Sequence, residues 1–530
     1  MKYRSEVLKM AVKIILIAVF FVVMLGVGIY CRKKATDVNG FVLGGRNVGP
    51  WLTAFAFGTS YFSAVIFVGY AGQFGWNFGL ASTWIGLGNA FIGSLLAWVI
   101  LGRRTCVMTH SLDSKTMPDF FGLRFKSPAL KIVASVIVFI FLIPYTASLF
   151  NGLSRLFTMA FPAVNYTWCV IVMAVLTGIY VIVGGYMATA VNDFIQGLIM
   201  LGGIVAVIAL VLQKNGGFTE SVTLLANTTS PETADFPGAY ASFFGPQPLS
   251  LLFVVLLTSL GTWGLPQMVG KFYAIKSESS ITKGTIISTF FAIVVAGGCY
   301  FLGGFGRLFT TQEAVKANGY DSIVPSMLSG LDSDFIIGIV LVLVLSASMS
   351  TLSSLVLTSS STITLDLIAP AAKKFDEKKK VVCMRVFVAF FIAVSAIIAI
   401  VQSNPEFKIS FIAQLMGVSW GALAGAFLAP FLYSLYWKKT TKASVWVSFA
   451  SGVGIMVANL ICTFTGTTFI TPFFSSPINA GVLAMLVGLV LVPVVSLVTP
   501  KMKKEDVDSI FSCYSAEVVV HAKSSLKEKE

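Results

Sequence analysis

Apolar residues in this chain come in long runs, and its polar residues gather between them. A bilayer core of roughly 30 Å takes about 20 apolar residues in a helix. By that ruler the sequence predicts thirteen spans, near 10–31, 51–71, 78–101, 129–160, 164–184, 189–213, 248–275, 281–306, 334–369, 381–402, 408–436, 443–462 and 478–499. The first follows a basic stretch, as a signal peptide would. It is long, lacks a small-x-small cleavage site and runs into Arg32-Lys33-Lys34, so it reads as an uncleaved helix.

Composition agrees with the pattern. Hydrophobic residues make up 56% of the 530 residues and charged residues 11%, with a mean hydropathy of +0.87. A soluble surface needs about 25% charged residues, so the fold class is all-α and the chain is a polytopic membrane protein in contact with lipid. The net charge of +14 does not point to nucleic acid. Its Lys and Arg lie in short segments at 102–128, 370–380 and 437–442 and in the tail after Pro500, whereas 214–247 and 463–477 hold almost none. Basic loops stay on the cytoplasmic side. The expectation is a multi-pass cell-membrane protein with its amino terminus outside and its carboxyl terminus inside, although Lys2, Arg4 and Lys9 pull weakly the other way.

Several chemistries drop out. The seven cysteines form no C-x-x-C pair, and His110 and His521 are far apart, so neither a metal centre nor a disulfide framework is expected. The nearest thing to a phosphate loop, Gly264 to Gly270-Lys271-Phe272, has the wrong spacing and Phe where Ser or Thr would hold magnesium. ATP is not the expected energy source. Polar stretches of about thirty residues are too short for an appended catalytic or sensor domain. No enzyme and no organic cofactor are expected.

Polar atoms inside the membrane are expensive, so they carry the information. The second span has small and hydroxyl residues at its middle, Gly58-Thr59-Ser60-Tyr61-Phe62-Ser63-Ala64. The seventh contains Gly261-Thr262-Trp263-Gly264-Leu265-Pro266-Gln267, where Pro266 removes a backbone donor. Interrupted helices at matching positions of two halves point to a transporter of inverted repeats with its site at the breaks. Gly and Pro also kink membrane helices without any such role.

The ninth span places Ala347, Ser350, Thr351, Ser354 and Thr358 on one helical stripe. Single membrane hydroxyls usually bond back to the preceding turn. A stripe this dense also suits an alkali cation completed by carbonyls of an unwound helix. Asp193, near the start of the sixth span, is either an interfacial cap after Gly184-Gly185 or a carboxylate that needs a counter-charge, a cation or water.

At these residues the sequence resembles the sodium:solute symporter family along essentially its whole length. The matching blocks are Phe41-Val42-Leu43-Gly44-Gly45-Arg46, Met117-Pro118-Asp119-Phe120-Phe121, Gly184-Gly185 with Asn192-Asp193 and Gln196, and Met349-Ser350-Thr351-Leu352-Ser353 with Asp366. The proline and pantothenate branch looks most similar. The resemblance implies a LeuT-like core of two five-helix inverted repeats, 51–213 and 248–436, joined by an extracellular loop at 214–247. An accessory helix and loop (1–50), two accessory helices (437–500) and a cytoplasmic tail (501–530) would surround it.

The resemblance also implies ligands. Its general sodium site would use the Thr59 and Phe62 carbonyls, the Ala347 carbonyl and the Ser350 and Thr351 hydroxyls. A possible second sodium site, as in the sialic acid members, matches Asp193, Ser350, Ser353 and Ser354. The solute site would lie beside the breaks, with Ser63, Tyr145 and Trp263 lining it and Gln73 further out; Tyr145 and Trp263 read equally well as packing aromatics. Tyr61 stands where the proline branch has an acidic residue, Ala64 where it has Gly, and Ile66 where sugar and sialic acid members carry a polar side chain. The expected function is sodium-coupled import of an amino acid such as proline, or a small carboxylate such as pantothenate. The rivals are proton coupling in the same fold and, further off, a channel.

Overall fold

The computed structural model describes residues 2–161, 163–230, 233–329, 334–372, 375–402 and 412–515. The expected start of the eleventh span at 408, Lys373 and Lys374 of the basic loop, His521 and the end of the tail lie outside them. Among the described residues the chain is helical throughout, with a single isolated β-bridge between Val48 and Ile275.

Among the described residues ten helices are long and apolar enough to cross a membrane, and a bent pair, Pro248–Gly264 with Pro266–Tyr273, makes an eleventh. Two of these runs are very long: Val65–Ser111 and Tyr166–Lys214, the latter 49 residues. At 1.5 Å per residue that is roughly 74 Å, more than twice a bilayer core. Each run is interrupted by a glycine at positive φ. Gly185 (φ 57°, ψ −155°) parts the fifth and sixth spans. Gly79 (φ 62°, ψ −141°) parts the second from the third, and a Cβ there would lie 2.0 Å from the Tyr240 carbonyl. The count of thirteen rests on dividing the two runs at these glycines.

The second span is itself broken. Pro50–Tyr61 ends in an extended Phe62 (φ −85°, ψ 125°), and the helix resumes as a π-turn at Val65–Tyr70. The seventh span unwinds through the 3₁₀ turn Leu260–Gly264 to an extended Leu265 (φ −87°, ψ 119°), restarts at Pro266 and bends by 45°. Proline at the first position of the new helix costs no hydrogen bond, because that N–H has no partner in a helix anyway.

Burial separates core from rim. The most apolar stretch of the eleventh span is 94% buried and that of the ninth 78%, against 28% for the first span and 33% for the twelfth. The hydroxyl-rich ninth span is thus central, and its polar stripe faces protein rather than lipid.

One expected loop folds further than its charges suggested. Within 102–128 the third span continues to Ser111, and Met117–Arg124 forms a helix capped by Thr116, whose hydroxyl accepts from the Asp119 N–H. Arg124 is fully buried there, donating to the Ser434 carbonyl (3.3 Å) and stacking on Phe125 and Phe511.

Candidate functional site

Unwinding the second span leaves carbonyls that no helical N–H can reach, and the ninth span aims its hydroxyls at them. Ser350 Oγ donates to the Thr59 carbonyl (3.0 Å) and shares its own Ala347 carbonyl (3.0 Å). Thr351 Oγ1 lies within hydrogen-bonding distance of three carbonyls: Thr59 (3.1 Å), Phe62 (3.0 Å) and Ala347 (3.2 Å). All five residues named for the general sodium site therefore converge, every one of them buried. Two hydroxyls and three carbonyls, none of them titratable, make a compact cage of hard oxygens. Such groups suit an alkali cation once the hydroxyl protons turn outward. The break is also stitched to the ninth span by Ser348, whose hydroxyl accepts from the Ala64 N–H (3.3 Å).

The residues named for a second cation meet something the sequence reading passed over. Asp193 is fully buried, and the Lys271 ammonium, 4% exposed, stands 3.8 Å from its Oδ2. Lys271 donates to Ser354 Oγ (2.9 Å), and that hydroxyl pairs with Ser60 Oγ (2.7 Å) on the broken second span. Ser353 turns its hydroxyl to the Ser350 carbonyl (2.9 Å). So Asp193 and Ser354 do come together, but around a protein ammonium. The reading of Asp193 as an interfacial cap fails, because the residue is wholly buried with a cationic partner. The signal was present: a lone Lys in a broken membrane helix needs a carboxylate as much as Asp193 needs a cation.

The solute candidates divide. Ser63 is buried in the break, and its hydroxyl accepts from the Val65 N–H (3.2 Å). Tyr145 belongs to an aromatic cluster with Trp420 (centroids 5.9 Å), which in turn meets Tyr61 (5.6 Å). The Tyr61 and Tyr145 hydroxyls and the Trp420 indole N–H are buried without a well-aligned hydrogen bond among the described residues, the Tyr145 hydroxyl facing Ser63 and Trp420 and the Tyr61 hydroxyl facing Tyr300 and Thr258. Trp263 has its N–H committed to the Ile92 carbonyl (3.0 Å), which fastens the seventh span to the third. Gln73 lies ten residues beyond Ser63, on the piece Ala71–Phe78 past the break, with a buried Oε1 that has no partner among the described residues. A separate cavity of about 20 Å³ borders the break at Phe57, Gly58, Tyr61 and Phe62, room for little more than a water. Trp420 was absent from the sequence reading, since one Trp in a run of small residues looks like packing.

Two helices broken at mid-span, one presenting free carbonyls and the other bent beside it, around a hydroxyl-lined central helix, form an arrangement suited to a cation-coupled secondary transporter. Comparison with known proteins carries this further. The model of the sodium:solute symporter family matches residues 41–452. The chain belongs to the sodium:solute symporter family, and it is a sodium-coupled solute symporter. It is 29% identical to the osmoregulated proline transporter OpuE of Bacillus subtilis over 485 residues, 90% of this chain and 95% of that one. Against a sodium/proline symporter of Staphylococcus aureus it is 29% identical over 500 residues, 93% of each chain. A solved sodium-coupled sialic acid symporter shares the fold, with a TM-score of 0.73 at 17% identity over 93% of this chain and 99% of that chain. The LeuT-like fold expected from the resemblance is thus the fold of this chain.

Proposed function

We propose that this protein imports proline, or a small amino acid close to it, together with sodium, and that the oxygens of Thr59, Phe62, Ala347, Ser350 and Thr351 hold the driving ion. The observation that carries the ion assignment is the convergence of two hydroxyls and three carbonyls at the helix break. A proton-coupled cycle would need a titratable group in that cage, and all five atoms are neutral oxygens. The choice of an amino acid over pantothenate rests on the proline transporters among the relatives, which match this chain over at least nine-tenths of its length.

The solute would sit where Ser63, Tyr61, Tyr145 and Trp420 surround the break. Three buried donors without a well-aligned hydrogen bond among the described residues suit a carboxylate, because a ligand oxygen there can accept from them. Trp263 then contributes its ring and Gln73 stands on the outer approach. The chain would lie in the cell membrane with its basic loops inside and its amino terminus outside.

The test is uptake of radiolabelled proline into proteoliposomes under an inward sodium gradient, with potassium as control and unlabelled amino acids and pantothenate as competitors. Accumulation with sodium alone, competed by proline, is expected. Uptake driven equally by a proton gradient without sodium, or competed by pantothenate and not by proline, overturns the reading.

A further inference from the structure

The buried ion pair of Lys271 and Asp193 has no part in the five-oxygen cage, yet it is connected to it. Ser354 joins Lys271 to Ser60, and Ser60 is the neighbour of Thr59, whose carbonyl belongs to the cage. The ammonium therefore links three elements: the inner piece Pro266–Tyr273 of one broken span, the stripe of the ninth span, and the broken second span. It also lies 5.3 Å over the ring of Tyr186, a further contact that favours a cation. It lines a cavity of about 50 Å³ shared with Ser354, Gln267, Thr358 and Ser361. Both Asp193 oxygens lack a hydrogen bond among the described residues. The carboxylate is thus compensated by charge, through an ion 3.8 Å away, and by nothing else among the described residues.

We propose that Lys271 is a tethered cation that fills the seat a second sodium would otherwise take beside Asp193 and Ser354, so that the protein binds one sodium ion. The proposal deepens the sodium-symport reading above and rests on it. A carboxyl group in a low-dielectric interior stays ionised only where positive charge matches it. When that charge is covalently attached, a mobile ion finds a filled and mutually repulsive site. The ammonium has a functional consequence as well. With one driving ion, a potential of about 100 mV and a tenfold sodium gradient sustain roughly a 500-fold gradient of neutral solute; with two, the limit is on the order of 10⁵-fold.

The experiment counts sodium directly, with ²²Na⁺ as the probe. Equilibrium binding of ²²Na⁺ to the purified full-length protein is measured for the parent, Lys271→Met, and Lys271→Met combined with Asp193→Asn. One ion per parent molecule, two for Lys271→Met and one again for the double variant are expected. Two ions on the parent overturn the proposal, and so does a single ion on Lys271→Met, since the carboxylate would then have no appetite for a cation. Should Lys271→Met fail to fold, the parent count still decides. A parent that binds no sodium, with Ser350→Ala indistinguishable from it, overturns sodium coupling itself and this inference with it.

Discussion

Replacing Thr351 with Ala removes a hydroxyl oxygen that sits 3.0–3.2 Å from three carbonyls at once. Each carbonyl keeps its place, because it belongs to a backbone held by its own helix or by the break. Alanine is a good helix former, so the ninth span stays intact and the loss is confined to one ligand of five. A hydrogen bond or ligand to a charged group is worth about 1.5–3 kcal/mol. Sodium affinity should therefore fall roughly 10- to 150-fold. Ser350→Ala, with a hydroxyl shared between the Thr59 and Ala347 carbonyls, should behave alike. Thr351→Ser keeps the oxygen and should stay within about threefold of the parent by the same reckoning. The assay is the sodium concentration for half-maximal uptake in proteoliposomes at fixed solute, with the amount of inserted protein measured in parallel. If both alanine variants transport with a half-saturation close to that of the parent, the cage does not hold the driving ion.

Four further outcomes test other parts of the structure. A Cβ on Gly75 would lie 1.9 Å from the Gly303 carbonyl, so Gly75→Ala must force two helices apart and should cost about 1–3 kcal/mol or more; Gly454→Ala, with open space around it inside the helix Lys442–Thr465, should leave the melting temperature in detergent the same or slightly higher. Trp420→Phe keeps an aromatic ring and removes the indole N–H beside Tyr61 and Tyr145, so solute affinity should drop about tenfold while ²²Na⁺ binding stays as in the parent. Asp366 is buried, accepts from Thr116 (2.6 Å) and pairs with Lys131 (3.2 Å), which keeps Asp119 (2.7 Å) as a second partner, so Asp366→Ala should lose about 1–3 kcal/mol of stability, seen as early melting in detergent. A cysteine replacing the exposed Thr467 should react with an impermeant maleimide on intact cells, and one replacing the exposed Lys439 only after permeabilisation; the reverse would invert the assigned orientation.

Much of this molecule was legible in its sequence because the bilayer imposes local rules. A span needs its apolar residues in one continuous run, and backbone breaks need Gly, Pro or small hydroxyl residues nearby, so 51–71 and 248–275 could be recognised as interrupted before any neighbour was known. The stripe on the ninth span follows from helical periodicity alone. The two ends of the cage, Thr59 with Phe62 and Ala347 with Ser350 and Thr351, were named by resemblance, and the Ser350 and Thr351 hydroxyls lie 3.0–3.1 Å from the carbonyls of the broken span.

What the sequence could not supply is which polar groups, hundreds of residues apart, face each other across the bundle. Lys271 read as part of a failed phosphate loop, and only packing of the seventh span against the sixth and ninth put its ammonium between Asp193 and Ser354. Trp420 read as a bulky residue among small ones, and only the meeting of the second, fourth and eleventh spans left its N–H beside two buried tyrosine hydroxyls. Arg124 read as one more cytoplasmic positive charge, and tertiary contacts buried it against Ser434 and Phe511. The physical reason is the same each time. Hydrophobicity and helical period are properties of neighbouring residues, so the chain itself declares its spans and breaks. The partner of a buried charge or donor is chosen by how those spans pack, and no local pattern encodes it.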